Sequence, residues 1–223
     1  MAGRRTYGSY NDGCAAAHAL DVVGDRWTMI VVRELLLGPK RFTQLQRDVV
    51  GIGPSVLAQR LHELEQHGVL VREHLPAPAD VDVYALTAWG QRLEAVNTAL
   101  SQWAVGSPTL PWDADMSPDT LVLAMRAHAR PGPRPAHVEL RLTDSRRDGA
   151  APVTYRGVVG PDGTRVERGA SSDVTPDATL EAATRALKAV VIGGADLDAT
   201  PGVRVTGSAD AVRALLDATA LRR

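Results

Sequence analysis

One cysteine, one phenylalanine and two lysines are all that this chain of 223 residues contains of those three types. With Cys14 alone, no disulfide can close within the chain. Aromatic residues make up 4% of the sequence against a hydrophobic share of 44%, so any core is built mainly from Ala, Val and Leu. The total of 25 Lys and Arg, less Lys40 and Lys188, leaves 23 arginines. Arginine forks suit phosphate, but coding bias in a GC-rich genome accounts for the excess equally, and abundant Ala, Gly and Pro point the same way. A net charge of −1 excludes a global basic field. A nucleic-acid partner therefore needs a local patch. No apolar run approaches the ~20 residues of a membrane-spanning helix, and no apolar stretch of signal-peptide type follows Arg4 and Arg5. These absences lead to the expectation of a cytoplasmic protein without a membrane partner.

What is present divides at a proline-rich stretch, VGSPTLPWDADMSPD, residues 105–119. Ahead of it, residues 14–23 read as a short helix, with Asp25 as N-cap of the next. Residues 26–37, RWTMIVVRELLL, are apolar nearly all round and read as a central helix. Gly38-Pro39 breaks the chain. Thr43 with Gln46 suggests a capping box for a third helix of about two turns. Pro54 after Gly53 starts a fourth, which runs to Gly68. VLVREHL (69–75) and VDVYALT (81–87) form a hairpin around PAPAD, and TAWGQRLEAVNTALSQW is helical again. Beyond the break, SPDTLVLAMRAHA is a capped helix and HVELRLT alternates as a strand. Pro161-Asp162-Gly163 turns a hairpin. TRALKAVVIGG and ADAVRALLDATA are helices, with VRVTG a strand between them.

The last three of the helices ahead of the hairpin, the hairpin itself and the further helix, in that order, form a winged helix-turn-helix. Several residues make the match specific: Cys14, the Gly24-to-Trp27 break, Arg33-Glu34-Leu35, Gly38-Pro39, Arg41-Phe42, Leu57, Gln59-Arg60-Leu61, Leu64, Tyr84 and Leu86-Thr87. With these residues in register, positions 10–105 closely resemble the HxlR family of bacterial transcription regulators, relatives of the MarR regulators. The resemblance implies a homodimer on double-stranded DNA at a near-palindromic operator. Leu93, Val96, Leu100 and Trp103, at three- and four-residue spacing, suit a dimer seam; the competing reading is that they pack on their own domain.

A wheel at ~100° per residue places Leu57, Leu61 and Leu64 on one face of the fourth helix. Ser55, Gln59, His62 and Gln66 point the other way. Recognition helices read bases through their first turns, which favours Ser55 and Gln59. Arg60 lies on the flank, where it either clamps a phosphate or pairs with a carboxylate. Lys40, Arg41, Thr43, Arg47 and Arg72 surround the helix as phosphate ligands. Two features depart from the family pattern. The wing tip carries Asp80 and Asp82 where relatives carry a basic residue, and Val56 stands where a base is common. A shallow salt slope is the consequence.

Cys14 matches a position that in some relatives senses oxidants or electrophiles; packing at the seam is the plain alternative. His62 and His67 lie on different helix faces, so no metal site, cofactor or catalytic constellation is expected, and the chain is not read as an enzyme. Residues 106–117 read as a linker. Residues 118–223 resemble the sterol carrier protein type-2 fold through HVELRLT, the Pro161 hairpin, DATLEAATRALKAVVIGG and VRVTGSADAVRALLDA. That resemblance implies an α+β domain, a small sheet with covering helices. Leu121, Leu123, Met125, Leu187, Val190, Val191, Ile192 and Leu215 would either line a cavity for a small apolar effector or fill a core. Together these readings describe a DNA-binding regulator modulated by such an effector. The rival reading is a carrier of a lipid-like molecule whose winged helix docks proteins.

Overall fold

The computed structural model describes residues 9–169 and 174–221. Its first compact unit spans residues 1–97 and its second residues 98–223.

In the first unit, α1 (Ala15–Val23), α2 (Thr28–Leu35), α3 (Phe42–Asp48) and α4 (Pro54–Gln66) precede the hairpin β1 (Leu70–Leu75) and β2 (Val81–Leu86). Val31, Val32 and Leu35 of α2 are buried with Leu45 of α3 and with Leu57, Leu61 and Leu64 of α4. Apolar residues at three- and four-residue spacing are the cause: each helix turns one stripe inward. Pro54 opens α4 after Gly53. Gly68, at φ +71°, closes it. There the amide of Gly68 donates to the carbonyl of Glu65 and that of Val69 to Leu64, the pairing that satisfies the last carbonyls of a helix. β1 and β2 pair antiparallel, Leu70 with Leu86 through Leu75 with Val81.

Three local expectations change. Asp25 does not cap α2; its N-cap is Trp27, in a left-handed conformation at φ +79°, while the Asp25 carboxylate pairs with Arg60. The pairing that opens α3 is made by Gln44, whose Oε1 accepts the Arg41 amide at 2.8 Å, rather than by Thr43 and Gln46. The helix after the wing is two helices, α5 (Ala88–Gln91) and α6 (Leu93–Ala104). Gly90 lets α5 lie close to the wing: a Cβ there would stand 2.0 Å from the Val69 carbonyl oxygen. Thr87 caps α5 by accepting the Gly90 amide and donates to the Gly68 carbonyl.

The second unit places α7 (Pro118–Ala127), α8 (Thr184–Val191) and α9 (Ala209–Thr219) with five strands: β3 (Ala136–Thr143), β4 (Val153–Gly160), β5 (Gly163–Arg168), β6 (Ala178–Ala183) and β7 (Val203–Gly207). Their order is β5-β4-β3-β6-β7, antiparallel except for β3 beside β6. β3 alternates strictly: Ala136, Val138, Leu140 and Leu142 are buried and the residues between them are not. On the polar face Arg141 bridges Glu139 and Glu181, and Arg204 joins Glu181. The α+β expectation holds. The expected linker, 106–117, is irregular but belongs to this unit. Lys188 donates to the carbonyls of Trp112 and Ala114, and Arg185 pairs with Asp115.

Leu121, Leu123, Met125, Leu187, Val191 and Leu215, expected at a cavity wall or in a core, are buried, and Val190 is half-buried. Leu215 sits so near Gly157 that a Cβ there would approach its Cδ2 to 2.4 Å. Two clefts in this unit, of about 220 and 380 Å³, are lined by other residues, among them Trp112, Arg185 and Lys188 in one and Arg130, Pro133 and Asp217 in the other. Of the named set only Ile192, at the edge of the smaller, borders either. Among the described residues no helix is long and apolar enough to cross a membrane.

Candidate nucleic-acid interface

The outward face of α4 is as the wheel places it. Ser55, Gln59, His62 and Gln66 are exposed, as are Ala58 and Val56, while the three leucines are buried. The polar side chains pair along the helix: Gln59 Nε2 donates to Glu63 Oε1 at 3.0 Å, and Gln66 lies 2.9 Å from His62. A ligand for Gln59 therefore replaces a solvent-exposed intrahelical bond, a small cost. Ser55, in the first turn, stands clear of these pairs.

The cations around α4 divide into two groups. Arg41 is exposed ahead of α3 and has no carboxylate partner among the described residues. Arg47 is half exposed, with its Nε 3.0 Å from Asp48 Oδ1. Thr43 is exposed in the first turn of α3. These three offer donors outward.

The others are engaged. Lys40 is 3% exposed, its Nζ 2.8 Å from Glu34 Oε2 and 3.1 Å from Asp48 Oδ2. An ammonium so enclosed is no phosphate ligand, which corrects the role expected of it. Burial alone would push the Asp48 carboxyl up, but Lys40 and Arg47 beside it outweigh that and hold it below the usual 3.8. Arg60, with 13% of its side chain exposed, pairs with Asp25 and with Glu63 at 2.7 Å. Of its two alternatives, carboxylate pairing is the one the structure shows. Arg72 is exposed on β1 and bonded to Asp82, whose carboxyl Arg72 and His74 hold low. His74 also reaches Asp80 at 3.1 Å. The acidic wing thus neutralises its own arginine.

A second surface lies on α1 and α6. α1 has no buried residue, and neither does α6. Between them opens an apolar cleft of about 300 Å³, lined by Ala19, Val22, Val23, Trp89, Leu93 and Val96 with His18 and Arg92 at hand. Along α6, Val96 is 42%, Leu100 48% and Trp103 81% exposed. Apolar side chains at this spacing would be buried if they served a core. Cys14, the N-cap of α1, is exposed. Backbone amides of Ala17 and Ala16 hold its thiol below the usual 9.0.

A family model described as HxlR-like helix-turn-helix matches residues 22–108. The HTH-type transcriptional regulator YodB of Bacillus subtilis (strain 168) is 36% identical over 86 residues, which cover 39% of this chain and 77% of that protein. The uncharacterized HTH-type transcriptional regulator YvaP of the same organism is 34% identical over 87 residues, covering 39% and 80%. The solved structure of reduced YodB aligns at 33% identity with a TM-score of 0.40, over 43% of this chain and 95% of that one.

Proposed function

Since the chain belongs to the HxlR-like helix-turn-helix family of transcriptional regulators, we propose that it acts as a homodimer on a near-palindromic operator in double-stranded DNA. α4 of each copy lies in a major groove. The observation that carries this reading is the polar, exposed face of α4 at Ser55 and Gln59, set on leucines that hold the helix rigid. Glutamine can read adenine bidentately and serine suits several bases. A two-fold dimer sets its two recognition helices ~34–36 Å apart, one helical turn. The uncovered stripe of α6 and the cleft beside α1 supply the seam.

Phosphate contacts come from Arg41, Arg47 and the N-terminus of α3 with Thr43. Arg72 contributes little, because Asp82 already engages it. With few phosphates neutralised, the salt slope is shallow. Membership in a regulator family weighs against the rival reading of a protein-docking carrier. Selection from a pool of random duplexes tests the proposal: inverted half-sites about 10 bp apart should be enriched. Enrichment of no common sequence would refute it.

Base reading and phosphate gripping separate by mutation. Gln59→Ala relaxes preference at one position of each half-site, at a cost of about 1–3 kcal/mol against the best sequence only. Arg41→Ala weakens all sequences alike and lowers the salt slope by about one. Competition anisotropy with matched and mismatched duplexes distinguishes the two; equal effects from both changes would contradict this division.

Cys14 is the proposed point of redox or electrophile response. Its exposure and its amide-stabilised thiolate support this role. The rate of iodoacetamide labelling should reach its plateau at a lower pH than that of a free cysteine peptide. A plateau at the same pH would remove the chemical basis for sensing.

A further inference from the structure

We propose that Lys40 is a positioning residue for DNA binding: held by Glu34 and Asp48, it fixes the wing against the helix-turn-helix without touching phosphate. The inference rests on the DNA-binding reading above. Its carrier is the double engagement of one residue. The Lys40 side chain ends between a carboxylate in the last turn of α2 and one on the last residue of α3. Its main chain pairs with the wing: the Lys40 amide donates to the Tyr84 carbonyl at 3.1 Å, and the Tyr84 amide to the Lys40 carbonyl at 2.8 Å. On its other edge Tyr84 pairs with Arg72 of β1. Lys40 is therefore a one-residue third strand, anchored from below by two helices.

The remaining oxygens of both carboxylates are also occupied. Arg33 bonds Glu34 Oε1 at 2.9 Å and Arg47 bonds Asp48 Oδ1 at 3.0 Å. The charges alternate in sign along Arg33, Glu34, Lys40, Asp48 and Arg47, so no buried carboxylate is left unsatisfied. Buried ion pairs contribute little net stability compared with apolar residues of the same volume. What they do supply is direction: an ammonium bonded to two fixed carboxylates has one place to be, whereas an apolar side chain can settle in several. Through the Tyr84 bridge, that place becomes the height of the wing over α4. Lys40 also links the wing to Arg47, which faces outward beside α4.

The double variant Glu34→Gln/Lys40→Met leaves net charge unchanged and leaves Asp48 paired with Arg47. In the full-length dimer, amide exchange at Tyr84 should rise at least about tenfold while that of Leu61 in α4 stays as in wild type. Affinity for the selected operator should fall about tenfold, with the slope of log K against log salt unchanged, since no phosphate contact is lost. Wild-type exchange at Tyr84, or a slope reduced by about one, would overturn the proposal. Should the double variant fail to fold, Glu34→Gln alone decides: Tyr84 exchange should rise by a smaller factor, and no rise refutes the role. Failure of the wild-type protein to bind any operator would remove the DNA reading, while exchange at Tyr84 would still show whether Lys40 holds the wing.

Discussion

Val96→Asp/Leu100→Asp is expected to convert the protein to a monomer and to cut operator affinity at least about a hundredfold. Both side chains stand exposed on α6, beside the still more exposed Trp103. The substitutions therefore cost the isolated chain almost nothing, since surface changes away from packed groups stay within about 0.5 kcal/mol. Their cost falls on the dimer, where each aspartate would have to be desolvated against apolar neighbours. Losing the second recognition helix removes the gain from two-site binding, about 10²–10⁴ in affinity. Sedimentation velocity reads the first effect and anisotropy on a full operator the second. A half-site duplex supplies the control, because a monomer should bind it as well as the variant binds the full site. A variant that remains dimeric and binds the operator normally would place the seam elsewhere, and the stripe on α6 would need another occupant.

Leu61→Ala is expected to destabilise the first unit by about 2–5 kcal/mol, the range for emptying a packed leucine site. Leu61 is 1% exposed in the middle of α4, between Leu57 and Leu64. α4 packs on α2, whose Val31, Val32 and Leu35 have no access to solvent. Denaturant unfolding followed by circular dichroism measures the loss. Gln59→Ala, on the opposite face of the same helix, should change stability by no more than about 0.5 kcal/mol. The pair separates the two faces of α4: one holds the helix in place and the other meets the ligand. Similar losses from both changes would mean that the outward face is packed as well.

Leucine and valine spacing made most of this fold legible. The stripe of Leu57, Leu61 and Leu64 and the alternation of β3 each follow from one local period, so the helix and the strand appear with their correct faces. Glycines marked the ends, as Gly68 shows by its positive φ. Long-range charge was not legible. Lys40 looks like a surface cation because lysines usually are. Its burial depends on Glu34 and Asp48 coming together from two helices, which no period encodes. Arg60 finds Asp25 at a separation of 35 residues, and the N-cap of α2 falls on Trp27 instead. The approach of the Val69 carbonyl to Gly90 of α5 is again a contact between distant segments. In the second unit, apolar spacing identified buried side chains but did not distinguish a packed core from a cavity wall, since both bury the same residues. Leu215 packed against Gly157 is one such buried contact there.

Fluorescence anisotropy of the wild-type protein on its selected operator, across a salt series, tests the central claim most directly. The expected result is saturable binding by a dimer. Affinity should fall with salt on a shallow slope set by the few outward-facing cations around α4, and Arg41→Ala should reduce that slope by about one. Binding that does not saturate, or that is indifferent to salt, would contradict the assignment of this surface to DNA.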